Sequence, residues 1–213
     1  MNNENIQIQK QTLRGNILLL GDASVGKTSL LCRYLFNTFQ AELLSTIGLV
    51  NSIKDFTFND RIFKVNFFDT AGQERYNSLC NSWIHKSNGV MLVFDITNEN
   101  SFHRIKYWLN QIHQCSDKDI PKVLIANKSD LEDERIVSII DGAILANEIK
   151  CSYEEVSAKT GNNVVHSVEN FVRQMFKTML IRNDEYEEMK FHLNKKNNLM
   201  NHNQSNQNTC CTQ

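Results

Sequence analysis

The sequence predicts an α/β chain built on a six-stranded, mostly parallel sheet flanked by about five helices. Six short apolar runs alternate with stretches whose apolar residues recur every three or four positions. Strands that alternate with helices build a parallel sheet covered on both faces. The second observation is length. The chain has 213 residues, 41% hydrophobic and 22% charged, which is enough for one domain with a sizeable core and some chain left over. No apolar run reaches the roughly 18 residues that a membrane span needs. The longest, near Ile17–Leu20 and Val90–Phe94, are strand length.

In chain order, residues 1–12 are polar and rich in Gln and Asn. They read as a disordered extension without the apolar stretch of a signal peptide. Asn2 stands where N-myristoylation requires Gly. The globular part is expected over 13–182. Its first strand is Asn16–Leu20, followed by a helix over Lys27–Asn37. Ser52–Phe58 and Ile62–Phe68, joined by Asn59-Asp60-Arg61, read as a hairpin. A helix follows from about Glu74 to Lys86, then a strand over Val90–Ile96 and a helix over Ser101–Cys115. The strand Val123–Ala126 comes shortly after the sole proline, Pro121. A helix over Arg135–Ile149, a strand over Cys151–Val156 and a helix over Asn162–Arg182 complete the pattern. In the last helix Val165, Val168, Val172, Met175 and Met179 form an amphipathic stripe. From about Asn183 the character changes. Asn194–Asn208 holds seven asparagines in fifteen residues with no apolar period, so residues 183–213 read as a disordered tail.

Lys+Arg 23 against Asp+Glu 24 gives a net charge of −1, which argues against a nucleic-acid partner held by bulk charge. Cys32, Cys80, Cys115 and Cys151 are scattered singly. Without a secretion signal they read as reduced cytosolic thiols rather than a disulfide framework. The six histidines are scattered too, and read as structural or solvent-facing. Trp108 reads as helix packing.

Gly21-Asp22-Ala23-Ser24-Val25-Gly26-Lys27-Thr28, followed by Ser29, matches G-x-x-x-x-G-K-[ST] between a strand and a helix. Glycines let the backbone wrap closely, so that successive N–H groups form an anion nest capped by the helix N-terminus. Lys27 would neutralise β- and γ-phosphates and the Thr28 hydroxyl would bind Mg²⁺. Asn127-Lys128-Ser129-Asp130 follows a strand. The Asp130 carboxylate can accept from both N1–H and the exocyclic amine of guanine. Adenine lacks that donor pair and would leave the carboxylate unpaired. Asn127 would organise the loop and Lys128 would pack on the base. Ser157-Ala158-Lys159 can offer a backbone N–H to guanine O6. Asp69-Thr70-Ala71-Gly72-Gln73-Glu74 ends another strand. Asp69 would hold Mg²⁺ directly or through water. The Gly72 N–H can meet a γ-phosphate, and Gln73 can orient the attacking water. A helix N-terminus with Asp as cap and Glu in the first turn is the other local reading of this stretch, and both can hold at once.

In chain order the phosphate loop, Thr46, Asp69–Glu74, Asn127–Asp130 and Ser157–Lys159, with Thr46 19 positions after Lys27, resemble the motifs of a small GTPase of the Ras superfamily. The resemblance covers about Leu13–Leu180 and is greatest to the Rab branch, on Thr46-Ile47-Gly48, on Asp69 through Tyr76 and on the paired terminal cysteines. It implies a P-loop NTPase G domain that binds GTP or GDP and Mg²⁺ and hydrolyses GTP slowly. It also implies that Phe39 stacks on the guanine edge and that Thr46 binds Mg²⁺ and the γ-phosphate in the GTP state only. Effector proteins, an exchange factor and an activating protein are the implied partners. Four positions depart from the Rab pattern: Leu43, Leu49-Val50-Asn51, Phe68 and Trp83-Ile84-His85. All lie on or near the effector face, so individual partners do not carry over. Ala23 stands where Ras has Gly, and its methyl can crowd the transition state. A pseudo-GTPase that holds nucleotide without turnover is therefore the alternative, with an ATP-using P-loop enzyme behind it. No motif places an arginine to act in cis.

The chain ends Cys210-Cys211-Thr212-Gln213, which resembles the double geranylgeranyl site of Rab proteins and implies the prenylation and extraction machinery as partners. Between Arg182 and Gln213 four bases face four acids. The tail thus lacks a polybasic second signal, and two lipid chains would supply the two signals that stable anchoring needs. The expected location is the cytoplasmic face of an intracellular or plasma membrane, exchanging with cytosol.

Overall fold

A computed structural model of the chain describes residues 12–40, 50–58, 61–69, 77–116 and 119–182. Met1–Met175 form one compact unit and Phe176–Gln213 a second. Within the described residues of the first unit, β1 (Thr12–Leu20) leads to α1 (Lys27–Phe36). The hairpin β2 (Val50–Phe58) and β3 (Arg61–Asp69) comes next, then α2 (Asn77–Lys86) and β4 (Gly89–Asp95). After these come α3 (Glu99–His103), α4 (Ile105–Cys115), β5 (Lys122–Asn127), a 3₁₀ turn at Glu132–Glu134, α5 (Ile139–Glu148) and β6 (Ser152–Glu155). Residues 164–182 are helical, α6, and those from 176 onward belong to the second unit.

The strand order is β2-β3-β1-β4-β5-β6. Among the described residues only the β2–β3 pair is antiparallel; β1 runs parallel to β3 and β4, and β5 parallel to β4 and β6. Strands covered on both faces should be apolar at consecutive positions. Ile17 through Leu20, Val90 through Phe94 and Val123 through Ala126 are all buried. Leu18, Leu20, Leu92, Phe94 and Leu124 share one cluster with Ile84, Trp108, Ile112 and Leu145, beneath α2, α4 and α5. Phe68 joins it and meets the Trp83 ring at 4.7 Å between centroids. Two of the departures noted above therefore pack on each other.

Within the first unit, residues 164–175 of α6 approach the other face closely. A Cβ at Gly89 would lie 2.9 Å from Met175 Sδ, and one at Gly15 would lie 3.0 Å from Met175 Cε. Its buried face is Val164, Val168, Phe171, Val172 and Met175. Val165, expected in the stripe, points to solvent and is 53% exposed, so the true stripe starts one residue earlier.

Several boundaries differ from the sequence expectation, four of them as follows. Strand β1 begins at Thr12, inside the expected extension, because its ladder with β3 runs from Thr12↔Ile62 to Leu19↔Asp69. Pairing overrides the weak apolar pattern before Asn16. The helix expected over Ser101–Cys115 starts at Glu99, where the Asn98 side chain accepts from the Ser101 N–H at 3.2 Å, and it is broken at Arg104. Helix α5 starts at Ile139, with Ser138 as its cap, rather than at Arg135. Arg135 is instead spent on ion pairs in the preceding loop. The last helix begins at 164, past the turn at Gly161. The expected helix start at Glu74 and the expected disorder of residues 1–11 and 183–213 lie outside the described residues.

Candidate functional site

Five strands run parallel, so their carboxyl ends share one edge of the sheet, where open α/β sheets bind ligands. The loops after β1, β5 and β6 meet there around a cleft of about 330 Å³. Ser24, Gly26, Phe39, Asn127, Lys128, Asp130, Ala158 and Lys159 are among its lining residues.

The loop after β1 needs glycine at both ends. Gly21 has φ +149°, and a Cβ there would lie 2.1 Å from the Val93 carbonyl oxygen. Gly26 has φ +94°, and a Cβ there would lie 2.3 Å from Asn127 Nδ2. Ser24 is also left-handed, at φ 64°. Alternating hands turn consecutive N–H groups to one side, the geometry of an anion nest. Lys27 is buried, and its ammonium donates to the Gly21 and Asp22 carbonyls at 2.6 and 2.7 Å. Ala23 is exposed at the loop tip.

Asn127 fastens this loop to the two others. Its Nδ2 donates to the Val25 carbonyl at 2.8 Å, and its Oδ1 accepts from the Ala158 N–H at 3.2 Å. Asp130 is held by the fully buried Ser157, whose hydroxyl donates to Oδ1 at 2.6 Å, while Lys159 Nζ lies 3.7 Å from Oδ2. Lys128 is left-handed, at φ 67°, and its ammonium pairs with the buried Asp95 at 2.5 Å, so its stem lies along the cleft. On the phosphate-loop side, the Thr28 hydroxyl donates to Asp69 Oδ2 at 2.5 Å, and Asp69 is fully buried at the end of β3. A hydroxyl and a carboxylate converging beside an anion nest are the hard oxygen donors that suit Mg²⁺, which completes its shell with substrate phosphates and water.

These loops lie within the match to the family model described as Ras family, which covers residues 16–177. The chain belongs to the Ras family. Ras-related protein Rab-3A of Homo sapiens is 40% identical over 156 residues, 73% of this chain and 71% of that protein. Ras-related protein RIC1 of Oryza sativa subsp. japonica is 37% identical over 148 residues, 70% of this chain and 73% of that protein. GTP-binding protein ypt2 of Schizosaccharomyces pombe is 33% identical over 170 residues, 80% of this chain and 85% of that protein. Of two longer relatives the chain spans only 28% and 16%. The fold is that of a small GTPase of the Ras superfamily, Rab-like, with the six-stranded, mostly parallel sheet of a P-loop G domain.

In this Ras-family chain the candidate residues from Gly21 to Ser29, Phe39, Asp69, Asn127, Lys128, Asp130 and Ser157–Lys159 come together at one edge of the sheet. Thr46, Gly72, Gln73, Cys210 and Cys211 lie outside the described residues. Sequence reading missed three supports of the cleft. Asp95 pairs with Lys128 and stands level with Asn127 in the β4–β5 ladder, a position that a register argument could have flagged. Arg33 on α1 donates to the Ala158 and Lys159 carbonyls at 2.9 and 2.7 Å. Arg135 grips Glu155 through two hydrogen bonds at 2.9 and 2.8 Å and also pairs with Glu132. That ties the segment after Asp130 to β6. Hydrogen bonds from Arg135 hold the Glu132 carboxyl below its ordinary pKa.

Proposed function

We propose that this chain is a Rab-type guanine-nucleotide switch that hydrolyses GTP, anchored to a membrane by prenyl groups and acting in vesicle traffic. The observation that carries the nucleotide part is the convergence of Asp130, Asn127 and the Ser157–Lys159 loop on the cleft that the phosphate loop also lines. Asp130 would accept two hydrogen bonds from guanine. The Ala158 backbone lies at the same rim, and Phe39 and the Lys128 stem would cover the two faces of the base.

Lys27 would exchange its contacts with the two loop carbonyls for β- and γ-phosphate oxygens. Thr28 and Asp69 would hold Mg²⁺, joined by Thr46 in the GTP state. The bound metal would supply charge neutralisation between the phosphates. Gly72 and Thr46 would engage the γ-phosphate and order the two switch segments, so that effector proteins bind. Hydrolysis, with Gln73 orienting the water, would release them. Intrinsic turnover should be slow, with an outside arginine from an activating protein. An exchange factor and the prenylation and extraction machinery would complete the partners.

The anchor rests on Cys210-Cys211 at the end of a segment with four bases and four acids. No helix among the described residues is long and apolar enough to cross a membrane. Ala23 favours one other reading, a pseudo-GTPase that holds nucleotide with little turnover. Single-turnover hydrolysis with and without an activating protein separates the two. The switch reading expects activated turnover in the wild type, reduced by orders of magnitude in Gln73→Leu with GTP binding kept. No activated turnover in the wild type would leave the pseudo-GTPase.

A further inference from the structure

Position 22 is free in the phosphate-loop motif, yet here it carries an acid, and a carboxylate within a loop that receives polyphosphate works against the ligand's charge. The fold answers it from the break between α3 and α4. Arg104 Nε donates to Asp22 Oδ1 at 2.8 Å, and the indole N–H of Trp108 donates to the same oxygen at 3.2 Å. Trp108 is 2% exposed, so its donor needs a partner inside the protein. The Arg104 guanidinium also stands over the Tyr107 ring, 5.2 Å from its centroid. The Asp22 carbonyl accepts from Lys27 Nζ at 2.7 Å. The same residue is therefore tied to α4 by its side chain and to the phosphate-binding lysine by its backbone.

We propose that Arg104 is a positioning residue of the nucleotide site. It neutralises the Asp22 carboxylate and, with Trp108, holds it on the α4 side of the loop, so that the loop's N–H groups and Lys27 face the phosphates without an opposing charge. This deepens the nucleotide reading above and rests on it. The pair is half exposed on the arginine side, at 53% of the side chain, so the effect is modest in size. Loss of the cation should speed nucleotide release by about fivefold, the scale of a partly screened ion pair.

The test is release of fluorescent GDP from the full-length protein into excess unlabelled GDP. Arg104→Ala should release about fivefold faster. Arg104→Lys should return most of the way, because a single donor contact is at stake rather than a bidentate fork. Asp22→Asn placed in the Arg104→Ala background should bring the rate back towards wild type, since the uncompensated charge is gone. Added salt should narrow the gap between Arg104→Ala and wild type. A purely structural brace predicts fast release that Asp22→Asn does not rescue, and that result overturns the proposal. So does an Arg104→Ala protein that releases at the wild-type rate. Should Arg104→Ala fail to fold, Asp22→Asn alone decides: slower release than wild type supports the charge argument, and an unchanged rate removes it. A wild-type protein that takes up no fluorescent GDP would refute the nucleotide reading itself, and the inference with it.

Discussion

Replacing Asn127 by Ala removes one side chain that joins three loops, and its cost can be worked from the contacts. The Val25 carbonyl loses its 2.8 Å donor and the Ala158 N–H loses its 3.2 Å acceptor. Asn127 is 1% exposed, so water does not readily replace either partner. A hydrogen bond contributes about 1 kcal/mol net, and a buried group left unpaired costs about 1–3 kcal/mol, so about 3 kcal/mol is a fair total. For a domain of this size about 2–4 °C of melting temperature follows each kcal/mol, which places the loss at roughly 6–12 °C. Calorimetry at fixed nucleotide and protein concentration reads it, because bound ligand shifts the melt by mass action. Asn127→Asp should do no better. It keeps an acceptor for Ala158 but sets a carboxylate oxygen against the Val25 carbonyl. An Asn127→Ala protein that melts within about 2 °C of wild type would refute the reasoning, because the loops would then not depend on this side chain.

Three other outcomes follow from single observations. Gly21→Ala should fail to accumulate as folded protein, since its Cβ would lie 2.1 Å from the Val93 carbonyl oxygen at a φ of +149°; a soluble variant with a wild-type melt would contradict this. Burial pushes the Cys151 thiol up from 9.0 to about 11, against the lowering effects of the Leu124 backbone and Lys122. The stability it contributes as a neutral thiol should be intact below about pH 9 and lost as pH rises through 11; melts across that window should fall more steeply for wild type than for Cys151→Ala. Cys210→Ser or Cys211→Ser alone should leave a partly cytosolic protein and the double change a fully soluble one, with nucleotide release unaltered; membrane fractionation with intact mass measures this, and a double variant that still pellets would remove the anchor.

The sheet was legible because its buried strands carry unbroken apolar runs. Ile17–Leu20 and Val90–Phe94 have few other ways to hide. The start of β1 was not legible, since Thr12–Gly15 owe their extended form to pairing with β3 rather than to their own pattern. The break at Arg104 and the late start of α5 escaped for a related reason. At both places a side chain pairs with a partner distant in sequence, Asp22 in one case and Glu155 in the other. In the last helix the period and phase were right at Val168, Val172 and Met175, and the first position was misplaced, because Val164 and Val165 are equally apolar in sequence and only packing chooses between them. The cleft was legible where glycine, lysine and aspartate stand at fixed offsets in short motifs. Its supports were not. Arg33, Asp95 and Arg135 stand outside every motif and matter only through what the fold brings beside them.

Base selection tests the central claim most directly. Competition of GTP, ATP and XTP against fluorescent GDP should be run on the wild type and on Asp130→Asn. The account predicts that wild type is displaced by GTP at concentrations where ATP has no effect, and that Asp130→Asn loses GTP affinity and gains affinity for xanthine nucleotide. Asn can donate to the carbonyl that xanthine carries in place of the amine. Equal displacement of the wild type by ATP and GTP, or an Asp130→Asn protein with unchanged preference for GTP, would contradict it.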